Sequence, residues 1–248
     1  MMRGFSLWIL ALVILVPWAV ADPFNPFNPR PVTVNPAPPG EVDLQVILNN
    51  QCSGCFNVNT DQQSAGYWGL ATQPPTGVLP FVIVEYAGFA PNNVVGLFHW
   101  TGLAATLLPV FLGPATAGTT ASITWTGPST GTITQISGPS GAVNAVSFNN
   151  IPFFAFGFYI QTPQNNTFFS VDDLNPGNAP QVLAFRHLPS NTWFLAFEDL
   201  LVGGGSDQDY NDFVLKVESI VPVPEPAAFL LLGSTLVLMG RKLRAKRA

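Results

Sequence analysis

Five carboxylates crowd into the stretch Glu198-Asp199-Leu200-Leu201-Val202-Gly203-Gly204-Gly205-Ser206-Asp207-Gln208-Asp209-Tyr210-Asn211-Asp212, and no base follows until Lys216. Like charges at this density repel unless water screens them or a cation neutralises them. Oxygen ligands on a flexible glycine loop suit Ca²⁺, which accepts irregular coordination at about 2.3–2.6 Å. The alternative is a solvated acidic hairpin in which Asp and Asn only make turns. Asp207, Asp209 and Asn211 fall at positions 1, 3 and 5 of an EF-hand loop, with Glu218 at position 12. Position 6, however, is Asp212 where that turn requires Gly. Phe213–Val217 also reads as a strand, which carries Glu218 about 20 Å from the loop at ~3.3 Å per residue. The sequence therefore predicts a strand–loop–strand site. Glu198 and Asp199 end one strand, and Asp207, Asp209, Asn211 and Asp212 lead into the next.

Cys52-Ser53-Gly54-Cys55 is the other reactive spacing. In an exported chain the plain reading is a local disulfide stapling a turn. A redox pair would need the first Cys at a helix N-terminus, and Asn57, Asn59 and Gly66 disfavour a following helix. A zinc site would need two more ligands, for which only His99 and His187 exist. Enzyme motifs are missing: there is no G-x-S-x-G, no H-E-x-x-H and no phosphate loop with Lys. Glu198 and Asp207 could stand at a glycosidase separation, with residue type as the sole support. Trp68, Trp100, Trp125 and Trp193 read as core, with sugar-stacking platforms as the alternative.

The elements that must position these groups are strands. Short apolar runs recur between turn signals at Val42–Leu48, Leu79–Tyr86, Val94–Trp100, Leu107–Leu112, Ala121–Thr126 and Gly131–Ile136. They continue at Ala142–Phe148, Phe153–Ile160, Asn166–Val171, Gln181–Arg186, Thr192–Phe197 and Phe213–Glu218. Only Val42–Asn50 is long enough without breakers to compete as a helix. The near-repeated turns at 127–131 and 138–141 predict a meander. Altogether the pattern predicts an all-β, jelly-roll-like β-sandwich over residues 41–220. Before it, residues 22–40 hold seven Pro in nineteen positions and read as an extended spacer.

The two ends are addressed elsewhere. Arg3, an apolar run from Phe5 to Val20 and Ala19-Val20-Ala21 make residues 1–21 a signal peptide cut after Ala21. Pro224, Glu225 and Pro226 precede an apolar helix at 227–240 and a tail containing Arg241, Lys242, Arg244, Lys246 and Arg247. Fourteen helical residues reach ~21 Å, so this single transmembrane helix needs snorkelling or local thinning to span. Its basic flank places the body on the far side from the cytoplasm. With both ends removed, residues 22–221 keep 13 acids and three bases, a net of −10, which excludes nucleic-acid binding through a basic face.

The Pro-Glu-Pro, helix and basic end at 221–248 resemble the PEP-CTERM sorting signal of Gram-negative bacteria. That resemblance implies recognition by an exosortase in the inner membrane, a cut near the motif, and release to the cell surface or beyond. It also implies a species that builds exopolysaccharide, biofilm or floc, and a chain that is cargo, anchored in the inner membrane only transiently. A second resemblance rests on Phe169-Ser170, Asp173-Leu174-Asn175-Pro176-Gly177, Phe197-Glu198-Asp199-Leu200 and Asp207-Gln208-Asp209-Tyr210-Asn211-Asp212. Over 153–217 the chain looks like an uncharacterised β-domain family of bacterial surface proteins. It implies a calcium-binding acidic loop and no catalytic activity. The expectation is a non-catalytic surface or matrix protein stabilised by Ca²⁺. A calcium-dependent carbohydrate-binding module and a polysaccharide-active hydrolase are the alternatives.

Overall fold

A computed structural model describes residues 30–63, 66–78, 81–85, 92–113, 115–137 and 145–223. One helix, α1 (Leu44–Cys52), precedes fourteen strands. These are β1 (Tyr67–Leu70), β2 (Thr76–Val78), β3 (Phe81–Glu85), β4 (Val94–Trp100), β5 (Ala105–Phe111), β6 (Thr120–Trp125) and β7 (Gly131–Ser137). The others are β8 (Ala145–Phe148), β9 (Gly157–Gln161), β10 (Thr167–Phe169), β11 (Val182–His187), β12 (Thr192–Phe197), β13 (Phe213–Val217) and β14 (Ile220–Val223). The described residues are all-β apart from α1 and short 3-10 turns.

A large antiparallel sheet runs β11-β12-β13-β3-β6-β7-β8, with β2 also pairing β6, and a smaller one runs β10-β9-β4-β5. The expected meander is β6-β7-β8. Inward side chains of both sheets share one core: Leu97, Phe111, Phe158 and Ile160 from the smaller meet Trp125, Trp193, Leu195, Phe197, Phe213 and Leu215 from the larger. Thr192–Phe197 is apolar almost throughout because both its faces are buried. Trp193, Leu195 and Phe197 enter the shared core, while Phe194 and Ala196 face a second layer.

That second layer is α1 and the chain around it. Leu44, Ile47 and Leu48, at i, i+3 and i+4, pack with Phe56 and Val58 over Leu183, Phe185, Phe194 and Val214. The strand-like run expected at Val42–Leu48 is therefore helical. Val42, Leu44 and Val46 alternate like a strand, but Ile47 and Leu48 break that period and complete the helical one. The helix stops at Ser53, whose φ of 45° is left-handed, and Cys52 and Cys55 are disulfide-bonded across the turn.

Two further corrections follow from close backbone approach. The strand expected from Phe153 begins at Gly157, because Phe153 and Phe156 pair instead with Leu70 and Trp68. Gly157 itself lies against the Phe98 ring, where a Cβ would collide. Strands β1, β2 and β14 were not expected, and β14 takes the first three residues assigned to the sorting segment into the domain, paired with β1.

Residues 30–39 of the expected spacer are not a free stalk. Arg30 makes a bidentate pair with Asp172 at 2.8 and 3.0 Å, Val32 exchanges hydrogen bonds with the Gln62 side chain, and Val34 donates to Asn59 Oδ1. Arg30→Ala should cost about 2 kcal/mol in urea unfolding, and adding Asp172→Asn should recover most of it, because the loss lies mainly in stranding a buried carboxylate. An equal loss in both variants would contradict this. Among the described residues no helix is long and apolar enough to cross a membrane. The expected signal peptide at 1–21, the motif Pro224–Pro226, the expected helix at 227–240 and the basic tail lie outside the described residues.

Candidate metal centre

Phe197 and Phe213 are register partners in β12 and β13, so loop 198–212 leaves and re-enters the sheet at one edge. Successive side chains of a strand point to opposite faces. Glu198 and Asp199 accordingly diverge. Glu198 joins Tyr210 on the side covered by α1, and Asp199 meets Asn93, whose Nδ2 donates to its Oδ2 at 3.1 Å.

Several groups fix the loop's path. Gly203 and Gly205 adopt φ of 81° and 126°, which side chains rarely tolerate. Gln208 and Tyr210 also hold left-handed φ, 63° and 55°, at a cost of about 1 kcal/mol or more each. Tyr210 offsets its share: it is fully buried, its OH donates to Pro180 O at 2.7 Å, and its N–H donates to Glu198 Oε1 at 2.7 Å. Buried Gln181 donates to Leu200 O at 2.8 Å and accepts from Val202 N–H at 2.6 Å. The Asp199 N–H donates to Asp212 Oδ2 at 2.8 Å, bridging the mouth of the loop.

Glu198, Asp207 and Asp209 each bring a carboxylate oxygen within 4.8 Å of the others. Charges that close repel by about 3 kcal/mol per pair at an effective dielectric of about 20. Glu198 has no exposure, Asp209 1%, and Asp207 is exposed, so the cluster opens to solvent on the Asp207 side. Among the described residues none of the three pairs with a base. Ser206 Oγ donates to Glu198 Oε2 at 2.5 Å. Asp209 Oδ1 accepts from the Asn211 N–H at 3.2 Å, but Asp209 Oδ2 and Asn211 Oδ1 are buried without a partner.

Burial drives the titration of the cluster. It pushes Glu198 up to about 7 against the lowering effect of Ser206 and the Tyr210 N–H, with Asp207 and Asp209 adding repulsion. Burial raises Asp209 to about 6, and Asp207, Glu41 and Asp43 push the same way. Asp212 goes to about 9 through burial and then its neighbours Asp199 and Glu198. Carboxylates held deprotonation-averse in a niche with unpaired oxygens are what a hard cation reverses. The oxygen-only donor set of Glu198, Asp207, Asp209 and Asn211 Oδ1 fits Ca²⁺ in kind.

Of the six residues expected to share one site, the structure gathers Glu198, Asp207 and Asp209, with Asn211 beside them. Asp199, held by Asn93, and Asp212, which accepts from the Asp199 N–H, are not in that cluster. Glu218 ends the far side of β13 and pairs with Lys216 at 2.8 Å, consistent with excluding an EF-hand. Glu198, with no exposed surface and both oxygens engaged, is badly placed to protonate a polymeric glycan. His99 accompanies Ala155 O at 3.2 Å and His187 the Ser190 hydroxyl at 2.7 Å, while both cysteines are in the disulfide. Sequence reasoning missed Gln181, Ser206, Asn93 and Asn35. Gln181 had a usable signal, a polar residue opening an apolar strand; Asn35 and Asn93 act over long separations and had none.

Comparison with known proteins adds a partial match. Residues 140–220, from the β7–β8 connection to the start of β14, are similar to a family described as a domain of unknown function (DUF4114). No curated protein matches the chain. No solved structure matches it either. The matched segment contains the whole acidic loop, so the feature with the clearest chemistry lies inside the region similar to that family.

Proposed function

We propose that this is an exported, non-catalytic surface or extracellular-matrix protein whose acidic loop holds Ca²⁺ as a structural ion. The observation that carries the ion is the Glu198–Asp207–Asp209 cluster with the buried, unpartnered Asp209 Oδ2 and Asn211 Oδ1 at its side. Export is supported by the signal at 1–21. The tail at 221–248, with Pro224, Glu225, Pro226, Arg241 and Lys242, supports exosortase sorting after transient residence in the inner membrane of a Gram-negative cell. The proposed architecture is a jelly-roll-like sandwich, supported by the chain's crossing between the two sheets after β3, β5, β8 and β10. Exopolysaccharide is the proposed surrounding, with the cation able to bridge an acidic domain to an acidic polymer.

Trp68, Trp125 and Trp193 are buried in the core, and Trp100 is half-buried, so the described tryptophans do not favour a sugar-stacking platform. Isothermal titration of the purified chain at neutral pH should show Ca²⁺ binding that Asp209→Asn weakens at least about tenfold, the usual weight of losing one charged ligand from a hard-cation site. Absence of heat at millimolar Ca²⁺, with wild type and variant melting alike, would sink the ion. Co-sedimentation of the protein with its producer's polysaccharide, reversed by EGTA, is the expected sign of the matrix role.

A further inference from the structure

Charge is divided between the two faces of the sandwich. From Tyr86 to Val171 the sequence carries no Asp, Glu, Lys or Arg, and that stretch supplies the whole smaller sheet. Successive strand residues face opposite sides, so Val95, Leu97, Phe158 and Ile160 enter the shared core and their neighbours point outward. Across β4 and β5 the outward register pairs are Trp100 with Ala105, Phe98 with Leu107 and Gly96 with Pro109. Strands β9 and β10 add the paired Tyr159 and Phe169. Phe98 and Tyr159 are buried in one cluster with Tyr67 and Val171, whereas Trp100, Leu107 and Phe169 are half-buried and Pro109 is exposed. Leu103, at the tip of the β4–β5 hairpin, is 93% exposed.

Strand β14 delivers the chain to this same face. Its last residue, Val223, pairs with Tyr67 and packs against the same aromatic cluster. Three residues, Pro224-Glu225-Pro226, then lead to the apolar run at 227–240. Fully extended, they reach about 10 Å. We infer that, while the tail holds the chain in the inner membrane, the outer face of the smaller sheet lies on the bilayer surface, with Trp100, Leu103 and Pro109 at the lipid headgroups. The inference rests on the membrane-anchored reading of the tail given above. An uncharged face bearing a partly exposed Trp suits the interfacial zone, where amphipathic aromatic rings concentrate. The contact is small and would hold a free domain only weakly, but so short a tether keeps the face at high effective concentration beside the lipid. The same pose turns α1 and the Glu198 side of the acidic loop, which lie on the far face of the larger sheet, away from the membrane and toward the surroundings.

Spin-label accessibility on the full chain, reconstituted through its tail into phosphatidylcholine vesicles, tests this. A nitroxide is placed at Leu103→Cys or Pro109→Cys, with Leu188→Cys, in the turn after β11 and 72% exposed, as the reference. Both native cysteines are disulfide-bonded, so the introduced thiol is the one that reacts. Collision with membrane-soluble oxygen should be severalfold higher at 103 and 109 than at 188, and collision with a water-soluble nickel chelate severalfold lower, at every protein-to-lipid ratio. Equal accessibility at the three positions, in chains that float with the vesicles, would overturn the docked face and leave the anchor standing. Protection at 103 and 109 that disappears as the protein is diluted in lipid would assign the face to a second copy of the chain and overturn the lipid contact. Chains that do not float with the vesicles would remove both the anchor and the docked face.

Discussion

In calcium-free buffer the protein should melt about 6–10 °C lower near pH 8 than near pH 5, and millimolar Ca²⁺ should remove most of that difference. The sign follows from the raised carboxyls. Glu198 titrates at about 7 in the fold against an ordinary 4.5, and Asp209 at about 6 against 3.8. Between those limits the folded chain binds more protons than the unfolded one, so stability falls as pH rises through the window. At 1.36 kcal/mol per unit, Glu198 alone accounts for about 3 kcal/mol, fully lost above neutrality. Ca²⁺ at about a hundred times its dissociation constant returns about 2.7 kcal/mol, and does so best at high pH, where protons no longer compete. General repulsion within an acidic chain slopes the same way, so the control is Glu198→Gln. It should make the fall between about pH 5 and pH 7 shallower, leaving the shares of Asp209 and Asp212 and the broad charge effect. Melting that rises with pH, or a profile identical in Glu198→Gln, would remove the buried cluster as its cause.

Much of this was legible in the residues, for identifiable reasons. Val94–Trp100 and Thr192–Phe197 match observed strands end to end because β-branched and aromatic runs bounded by turn residues leave little choice. Phe213, Leu215 and Val217 share the core face as their alternation requires. The acidic loop was visible because its charges are contiguous. What stayed hidden was non-local. Short, breaker-rich β1, β2 and β14 exist only because partners elsewhere in the chain pair with them. The proline-rich stretch looked like a spacer because its contacts, Arg30 to Asp172 and Asn35 to Asp207, reach across more than a hundred residues. The six oxygen-bearing residues divide in space, with the oxygens of Glu198, Asp207 and Asp209 within 4.8 Å of one another and Asp199 beside Asn93. Glu198 and Asp199 follow directly on β12 and continue its alternation, so their side chains part to opposite sides.

That parting has its own expected result. Asp212→Asn should stabilise the calcium-free protein near pH 8 by on the order of 2–3 kcal/mol, raising its melting temperature by roughly 4–12 °C, and leave the Ca²⁺-induced increase intact. Asp212 is pushed to about 9 by burial and by Asp199 and Glu198, so folding near pH 8 requires it to take up a proton that the unfolded chain has released. An Asn at this position keeps an acceptor for the Asp199 N–H and is neutral in both states, so it removes that protonation cost. If all six residues ligated one ion, the substitution would instead strip a charged ligand, and the Ca²⁺ increment would shrink as it does for Asp209→Asn. Thermal melts of the two variants, each with Ca²⁺ and with EGTA, separate these cases directly. A calcium-free gain with a full increment leaves Asp212 out of the metal centre, as a partner of the Asp199 N–H. A lost increment returns it to the metal centre, and with it the single six-residue site that contiguity in sequence suggested.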